Sequence, residues 1–111
     1  MGSMNVCSLV GRLARAPSVK WEGDGTQTCT FTLAIAERSY GPEPKAWTLF
    51  VPCTSYGRSA EACSTLQAQD MVAITGRLTW HKHKAKCGQE HSALVVKVQE
   101  VQVLQGAVCD G

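Results

Sequence analysis

The sequence predicts an all-β domain, a small barrel of five strands with one short α-helix between strands three and four. Apolar and polar residues alternate with a period of two through most of the chain, which is typical of half-buried strands. One segment, residues 57–67 (GRSAEACSTLQ), instead carries apolar residues at helical spacing. With 111 residues and a hydrophobic content of 44%, the chain has room for one domain with one modest core.

The first strand is predicted over residues 5–14, and Gly11 marks a point where a bulge or a bend lets the strand coil. Pro17 interrupts the pairing, and residues 18–22 continue the strand briefly. Residues 23–25, Gly-Asp-Gly, have the composition of a tight turn that reverses a hairpin.

The second strand, residues 26–37, shows the most regular alternation in the chain. The side predicted to face the core carries Cys29, Phe31, Leu33 and Ile35, and the other side carries threonines. Residues 39–45 contain Gly41, Pro42 and Pro44, and are predicted to form a loop because proline is excluded from central strands.

The third strand is predicted over residues 46–55. Its core side is expected to carry Trp47, Leu49, Val51 and Cys53. The other side presents Phe50, with Tyr56 following in the same phase, where polar residues would be usual. Exposed aromatics on a sheet suit the stacking of nucleic-acid bases. A second small core or a subunit contact is the alternative interpretation.

The predicted helix over residues 57–67 has Ser59 as its expected N-cap. The fourth strand is predicted over residues 71–80, and the fifth over residues 92–104, with a bulge between Val98 and Val101 where the apolar phase shifts. Five strands with this helix describe a coiled barrel of the OB type, whose second and third strands bind oligonucleotides.

A cationic segment occupies residues 76–88, although the net charge of the chain is only +2. It contains Arg77, Lys82, Lys84 and Lys86, together with two histidines and no acidic residue. Such a segment is either a solvated hairpin or part of a surface for an anionic polymer. Trp80, within this segment, shares the phase of Leu78 and is interpreted either as a core residue or as part of that surface. Trp21 is interpreted as core or rim.

No secretory segment is found, so an intracellular location and free thiols are predicted for the six cysteines. The sequence has no paired carboxylates, nucleophile motif or phosphate loop, and we therefore predict no catalytic residue and no cofactor. His81, His83, Cys87 and His91 lie around a predicted turn, but their irregular spacing and basic surroundings disfavour zinc. No metal site is predicted.

Four segments, LVGRLARAP, VKWEGDGTQTCTFTLAIAE, FVPCTSYGRSAE and VAITGRLTW, stand in an order and spacing that resembles the bacterial-type single-stranded DNA-binding proteins. The resemblance runs from Met4 to about Leu104. It places Phe50 and Tyr56 on two base-stacking positions of the family. Two further positions fall near Ser39, one place before Tyr40, and near His83, three places after Trp80. The predicted stacking residues are therefore Phe50, Tyr56, Tyr40, Trp80 and His83.

The resemblance implies binding of single-stranded DNA with little sequence preference, in replication, recombination or repair. The predicted phosphate ligands are Lys20, Arg38, Arg58, Arg77, Lys82, Lys84 and Lys86. The alternative is an OB-fold interaction or assembly subunit of a primosomal or RNA-processing complex, which binds protein, single-stranded RNA or both. A homo-oligomer, either a dimer or a tetramer, is also implied, with further replication proteins as possible partners.

Three segments are predicted along the chain. Residues 1–3 are interpreted as an expression scar, residues 4–104 as the nucleic-acid-binding domain, and residues 105–111 as a flexible end. The family usually carries an acidic tail that recruits other proteins, whereas residues 105–111 contain only Asp110 as an acidic residue. We therefore expect either a truncated chain or a tail-less relative.

Overall fold

The structure is a computed structural model that describes residues 2–84 and 87–106, with the backbone alone at residues 83, 84 and 91. Its elements are β1 (Cys7–Leu13), β2 (Ser18–Trp21), β3 (Gln27–Arg38), β4 (Ala46–Tyr56), α1 (Arg58–Ser64), β5 (Met71–Lys84) and β6 (Glu90–Gln105). The predicted strands and the helix between β4 and β5 are confirmed, and the continuation of the first strand is a separate short strand, β2. No helix in the described residues has the length and apolarity needed to cross a membrane.

The strands form one sheet in the order β1-β5-β6-β4-β3-β2, and β1 also pairs with β3. This additional pairing closes a ring of five strands, with β2 attached outside it on β3. All pairs are antiparallel except β4 and β6, which run parallel at Cys53–Val96 and Thr54–Lys97. The ring encloses the core, whose buried residues include Leu13, Phe31, Leu33, Val72, Ile74, Val96 and Val98.

Two glycines allow the ring to close. A Cβ atom at Gly11 would lie 2.6 Å from the carbonyl oxygen of Ala34, at the point where β1 leaves β5 and crosses β3. A Cβ atom at Gly76 would overlap the carbonyl oxygen of Lys97 on the neighbouring strand. Both strands therefore approach their neighbours at distances that only glycine permits.

The predicted bulge in the last strand is confirmed. Thr75 pairs with Glu100 while Gly76 pairs with Val98, which leaves Gln99 as the extra residue. Its carbonyl accepts a hydrogen bond from the Ser59 hydroxyl at 3.1 Å. The prediction of Ser59 as the N-cap is therefore wrong: Gly57, with φ of 61°, occupies the cap position of α1, and the Ser59 side chain fixes the helix to the bulge instead.

Several predicted core residues are exposed. Trp47 is 50% exposed and Leu49 is 45% exposed, because β3 and β4 continue past Ala34, where β1 crosses β3, and the core side of that extension is only partly covered. Trp80 is 64% exposed for a similar reason, since the β5–β6 hairpin continues beyond Gly76, the last residue of β5 that pairs with β1. Trp21, on the short strand β2, lies outside the core.

The turn between β2 and β3 is held by Asp24. Its carboxylate accepts a hydrogen bond from the backbone N–H of Thr26 at 2.9 Å, which lowers the pKa of Asp24. Gly25 adopts φ of 88°, a value that favours glycine, and its N–H donates to the carbonyl of Glu22. The hairpin that presents Lys20 is therefore closed by local side-chain and backbone bonds.

The five described cysteines are free, in agreement with the predicted free thiols. Cys29, Cys53 and Cys63 are buried in the core. Burial raises the pKa of Cys29 to about 11 and that of Cys53 to about 12. These thiols are neutral core groups at physiological pH and lack the thiolate character of a nucleophile.

Candidate nucleic-acid interface

The solvent side of β2, β3 and β4 forms a continuous surface, here called the outer sheet face. Strand register places its residues in rows. Lys20 lies opposite Thr28, which lies opposite Tyr56, and Ser18, Thr30 and Thr54 form the next row. Further rows pair Thr32 with Pro52 and Ala34 with Phe50. The alternation of β3 and β4 produces this face, since their other sides supply Cys29, Phe31, Leu33 and Cys53 to the core.

Phe50 and Tyr56, the two stacking residues predicted on this strand, both lie on the outer sheet face. Phe50 is 61% exposed, and its cross-strand neighbour Ala34 is too small to cover the ring. Tyr56 is 44% exposed beside Thr28. Six residues of extended strand separate the two rings by roughly 20 Å. The face thus offers two separate aromatic platforms, each with open ring surface.

Lys97 was not predicted as part of the site, yet its Nζ lies 5.4 Å from the centroid of the Tyr56 ring. This distance is within the range of a cation–π contact. The parallel pairing of Thr54 with Lys97 brings β6 beside β4 at this point. Burial of Val96 and Val98 directs Lys97 outward, and their apolar alternation in the sequence is the signal that could have identified it.

The β5–β6 hairpin has two faces with different chemistry. One, here called the groove face, carries Arg77, Thr79, His81, Val95 and Lys97, because these residues alternate in phase and pair across the two strands. Arg77 lies directly opposite Lys97, and neither forms an ion pair with a described residue. Two like charges placed opposite each other repel, and an anion bound between them removes the repulsion.

The opposite face of the hairpin carries Leu78, Trp80 and Lys82. The structure therefore separates Trp80 and Lys82 from Arg77 and Lys97, although all lie within one cationic segment of the sequence. Asn5 precedes β1 and is hydrogen-bonded to this hairpin. Its side-chain N–H donates to the carbonyl of Leu78 at 2.8 Å, and its side-chain oxygen accepts from the Leu78 N–H at 2.9 Å. The start of β1 is thereby fixed to the base of the hairpin.

The remaining predicted residues are more peripheral. Arg38, at the end of β3, shares the phase of the outer sheet face at its far end. Tyr40, 87% exposed, lies in the loop whose base is closed by Ser39 and Lys45, with the Ser39 N–H donating to the Lys45 carbonyl at 2.8 Å. Arg58 is exposed at the first residue of α1, beside Gln99 and Glu100 of β6.

The side chains of three predicted residues, His83, Lys84 and Lys86, lie outside the described part of the structure. His83 pairs with His91, and Lys84 with Glu90, by backbone register. Lys86 lies outside the described residues. Within the described part of the chain, no group of three or more His, Cys, Asp or Glu side chains could hold a metal ion.

A groove runs between the outer sheet face and the groove face of the hairpin. Its cavity of about 340 Å³ is lined by Ser18, Thr30, Thr32, Pro52 and Thr54 from the sheet and by His81 and Val95 from the hairpin. Arg15 and Ala16, from the connection between β1 and β2, and the cross-strand pair Phe31 and Cys53 complete the lining. Aromatic platforms, cations that form no ion pair with a described residue, and this groove therefore occupy one continuous side of the molecule.

Residues 4–104 match the single-strand binding protein family. The chain is 31% identical over 104 residues to single-stranded DNA-binding protein 2 of Clostridium acetobutylicum, covering 92% of this chain and 77% of that protein. It is 31% identical over 104 residues to the single-stranded DNA-binding protein of Clostridium tetani, covering 92% and 71%. It is 32% identical over 105 residues to single-stranded DNA-binding protein 1 of a Synechocystis species, covering 92% and 84%.

Proposed function

The chain belongs to the single-strand binding protein family, and we propose that it uses its outer sheet face and the groove face of its β5–β6 hairpin to bind single-stranded DNA in replication, recombination and repair. Its fold is the OB fold of this family. Membership in a family of DNA-binding proteins is consistent with the prediction that the chain is not an enzyme.

The observation that carries the proposal is the arrangement around Tyr56. Its ring has Lys97 at 5.4 Å, with Arg77 opposite Lys97 on the next strand and Lys20 two strands away in the same row. A base stacked on the open ring surface would place its flanking phosphates among these cations. Stacking contributes on the order of 1 to 3 kcal/mol per base, and each phosphate contact adds a salt-dependent increment.

Little sequence preference follows from this chemistry. Phe50 and Tyr56 present ring faces, and every base has a face that can stack on them. Lysine and arginine side chains reach the backbone, which is the same for every sequence. RNA shares both features, so a comparison of oligo-dT with oligo-U of equal length measures the preference for DNA.

The experiment is a titration of fluorescently labelled oligo-dT, followed by anisotropy at several salt concentrations. Phe50→Ala and Tyr56→Ala are each expected to weaken binding about fivefold to a hundredfold. Trp47→Ala is the matched control, because it removes a half-exposed aromatic from the same strand on the side facing away from the site.

The outcomes separate two failures. If the wild-type chain binds oligo-dT with no dependence on salt, or does not bind it, the proposed function is wrong. If it binds with salt dependence but Phe50→Ala and Tyr56→Ala bind as tightly as Trp47→Ala, the function stands and the assigned face is wrong.

The alternative hypothesis, an assembly subunit of a primosomal or RNA-processing complex, receives no support from these relatives.

A homo-oligomer is part of the proposal. The support is the free edge of β1. This strand pairs with β5 on one side, but on the other side it pairs with β3 only at Arg12 and Leu13, so that its earlier residues have no strand partner there among the described residues. An intracellular location remains a proposal, supported by the free thiols of the described cysteines.

A further inference from the structure

The cavity of about 340 Å³ between the sheet and the hairpin lies midway between the two aromatic platforms. Pro52 and Thr54, which line it, are the two outward-facing residues of β4 between Phe50 and Tyr56. A strand that stacks one base on each ring has several intervening nucleotides, because the rings are roughly 20 Å apart. At least one of those nucleotides must pass over the cavity.

The cavity carries polar groups that have no hydrogen-bond partner among the described residues. Thr54 is only 6% exposed, yet its hydroxyl makes no hydrogen bond to a described residue. No fully enclosed side-chain oxygen or nitrogen among the described residues lacks a partner, so the Thr54 hydroxyl keeps some accessible surface, and Thr54 is one of the residues that line the cavity. The hydroxyls of Ser18, Thr30 and Thr32 on the same wall are likewise unpaired within the described chain.

The other walls of the cavity are apolar or carry a guanidinium and an imidazole side chain. Apolar surface is supplied by Pro52, Val95 and Phe31. Arg15, from the β1–β2 connection, and His81, from the hairpin, also line the cavity. A purely apolar ligand would leave the hydroxyls without partners, which is unfavourable for a buried group such as Thr54. A planar group with polar edges satisfies both kinds of wall, and each nucleobase has this character. Serine and threonine hydroxyls, which both donate and accept, can bond the edge of any base.

We propose that this cavity is a nucleobase pocket, which receives one base of the bound strand between the bases stacked on Phe50 and Tyr56 and bonds the edge of that base through the hydroxyl of Thr54. The proposal rests on the proposed function, since the base belongs to single-stranded DNA. It adds a contact to the base edge, whereas the two platforms contact only base faces.

The test compares three ligands of equal length: oligo-dT, oligo-dA and an oligomer of abasic sites. Thr54→Val removes the hydroxyl and keeps the shape of the side chain. It is expected to weaken oligo-dT binding about five- to tenfold, the effect of one lost hydrogen bond. Binding of the abasic oligomer is expected to stay unchanged. Thr75→Val, an exposed threonine on β5 outside this site, is the matched control.

Thr54→Val is expected to fold, because the hydroxyl it removes makes no hydrogen bond to a described residue. If its thermal unfolding midpoint nevertheless falls below that of Thr75→Val, the exposed Thr30→Val on the same wall provides the same comparison. Wild-type affinity for oligo-dT in both variants overturns the pocket. An equal loss on oligo-dT and on the abasic oligomer also overturns it, since the effect would then not depend on the base. Absence of DNA binding by the wild-type chain is a different result, which refutes the proposed function.

Discussion

The Nζ atom of Lys97 on β6 lies 5.4 Å from the centroid of the Tyr56 ring at the end of β4. The two strands run parallel at this point. The contact joins a stacking platform to a cation in one unit. The lysine can hold the ring in place and also reach the phosphate of a nucleotide stacked on its open surface. Affinity and salt dependence should therefore both respond to this residue.

Lys97→Gln is expected to weaken oligo-dT binding and to reduce the dependence of affinity on salt. One lost phosphate contact on a single strand lowers the magnitude of the slope of log K against log salt by about 0.7. Anisotropy titrations over a series of salt concentrations measure both quantities. Lys82→Gln removes the same charge from the opposite face of the hairpin, and the smaller change we expect from it tests whether the contact lies on the groove face. Equal slopes for Lys97→Gln and the wild-type chain would contradict the assigned contact.

Gly76→Ala is expected to destabilise the fold by roughly 1 to 3 kcal/mol, because the added methyl group would overlap the backbone carbonyl of Lys97 and force β5 and β6 apart. The urea midpoint at constant m-value measures the change. Gly41→Ala, in a loop where no atom lies within 4 Å of the added group, should be neutral or slightly stabilising. Equal midpoints for the two variants would show that the strands have room at Gly76.

The alternation of residues predicted each strand and most of the core, because the period of side chains along a strand depends only on local backbone geometry. It could not predict how far the ring of strands extends. Trp47 and Trp80 have core phase, yet both lie on hairpin extensions past the points where β1 pairs with β3 and β5. The exposure of these residues is decided by a strand far away in the sequence.

The difference between local alternation and long-range strand pairing also explains which parts of the site the sequence predicts. Phe50 and Tyr56 share a strand, so their common face could be derived from spacing alone. The contact of Lys97 with Tyr56 depends on the pairing of β4 with β6, which no local signal reveals. The cavity needs three separate parts of the chain, contributed by Arg15, Thr54 and His81 among others. Long-range pairing therefore sets the shape of the site and local alternation supplies its side chains.

Alkaline pH is expected to destabilise the protein through its core cysteines. The pKa of Cys29 is raised to about 11 and that of Cys53 to about 12, while the unfolded thiols titrate near 8.5. Below about pH 8.5 both states carry neutral thiols, and the full stability is present. Above it the unfolded chain loses protons first, so stability falls as pH rises towards 11 to 12, by at most about 1.4 kcal/mol per pH unit for each thiol.

Urea unfolding of the reduced protein at a series of pH values from neutral to alkaline measures this dependence. Cys53→Val removes one of the buried thiols, and its stability should fall less steeply with pH than that of the wild-type chain. Cys87→Ser is the control, because it removes an exposed thiol that lies outside the core. The same slope for all three proteins would exclude the buried thiols as the cause.

Val10→Lys is expected to reduce the oligomeric state of the protein. Val10 is 52% exposed on β1, whose outer edge has no strand partner among the described residues before Arg12, and a lysine on an edge strand opposes pairing with a second copy. The folded chain should tolerate the change, since the side chain already reaches solvent. Val19→Lys, on the short strand β2, is the control for adding a charge to an exposed valine of another strand.

Light scattering with and without oligo-dT measures the mass of each complex. A lower mass for Val10→Lys alone supports assembly through β1. An oligomer of unchanged mass in Val10→Lys would show that the copies meet elsewhere, and a wild-type monomer in both conditions would refute the proposed homo-oligomer.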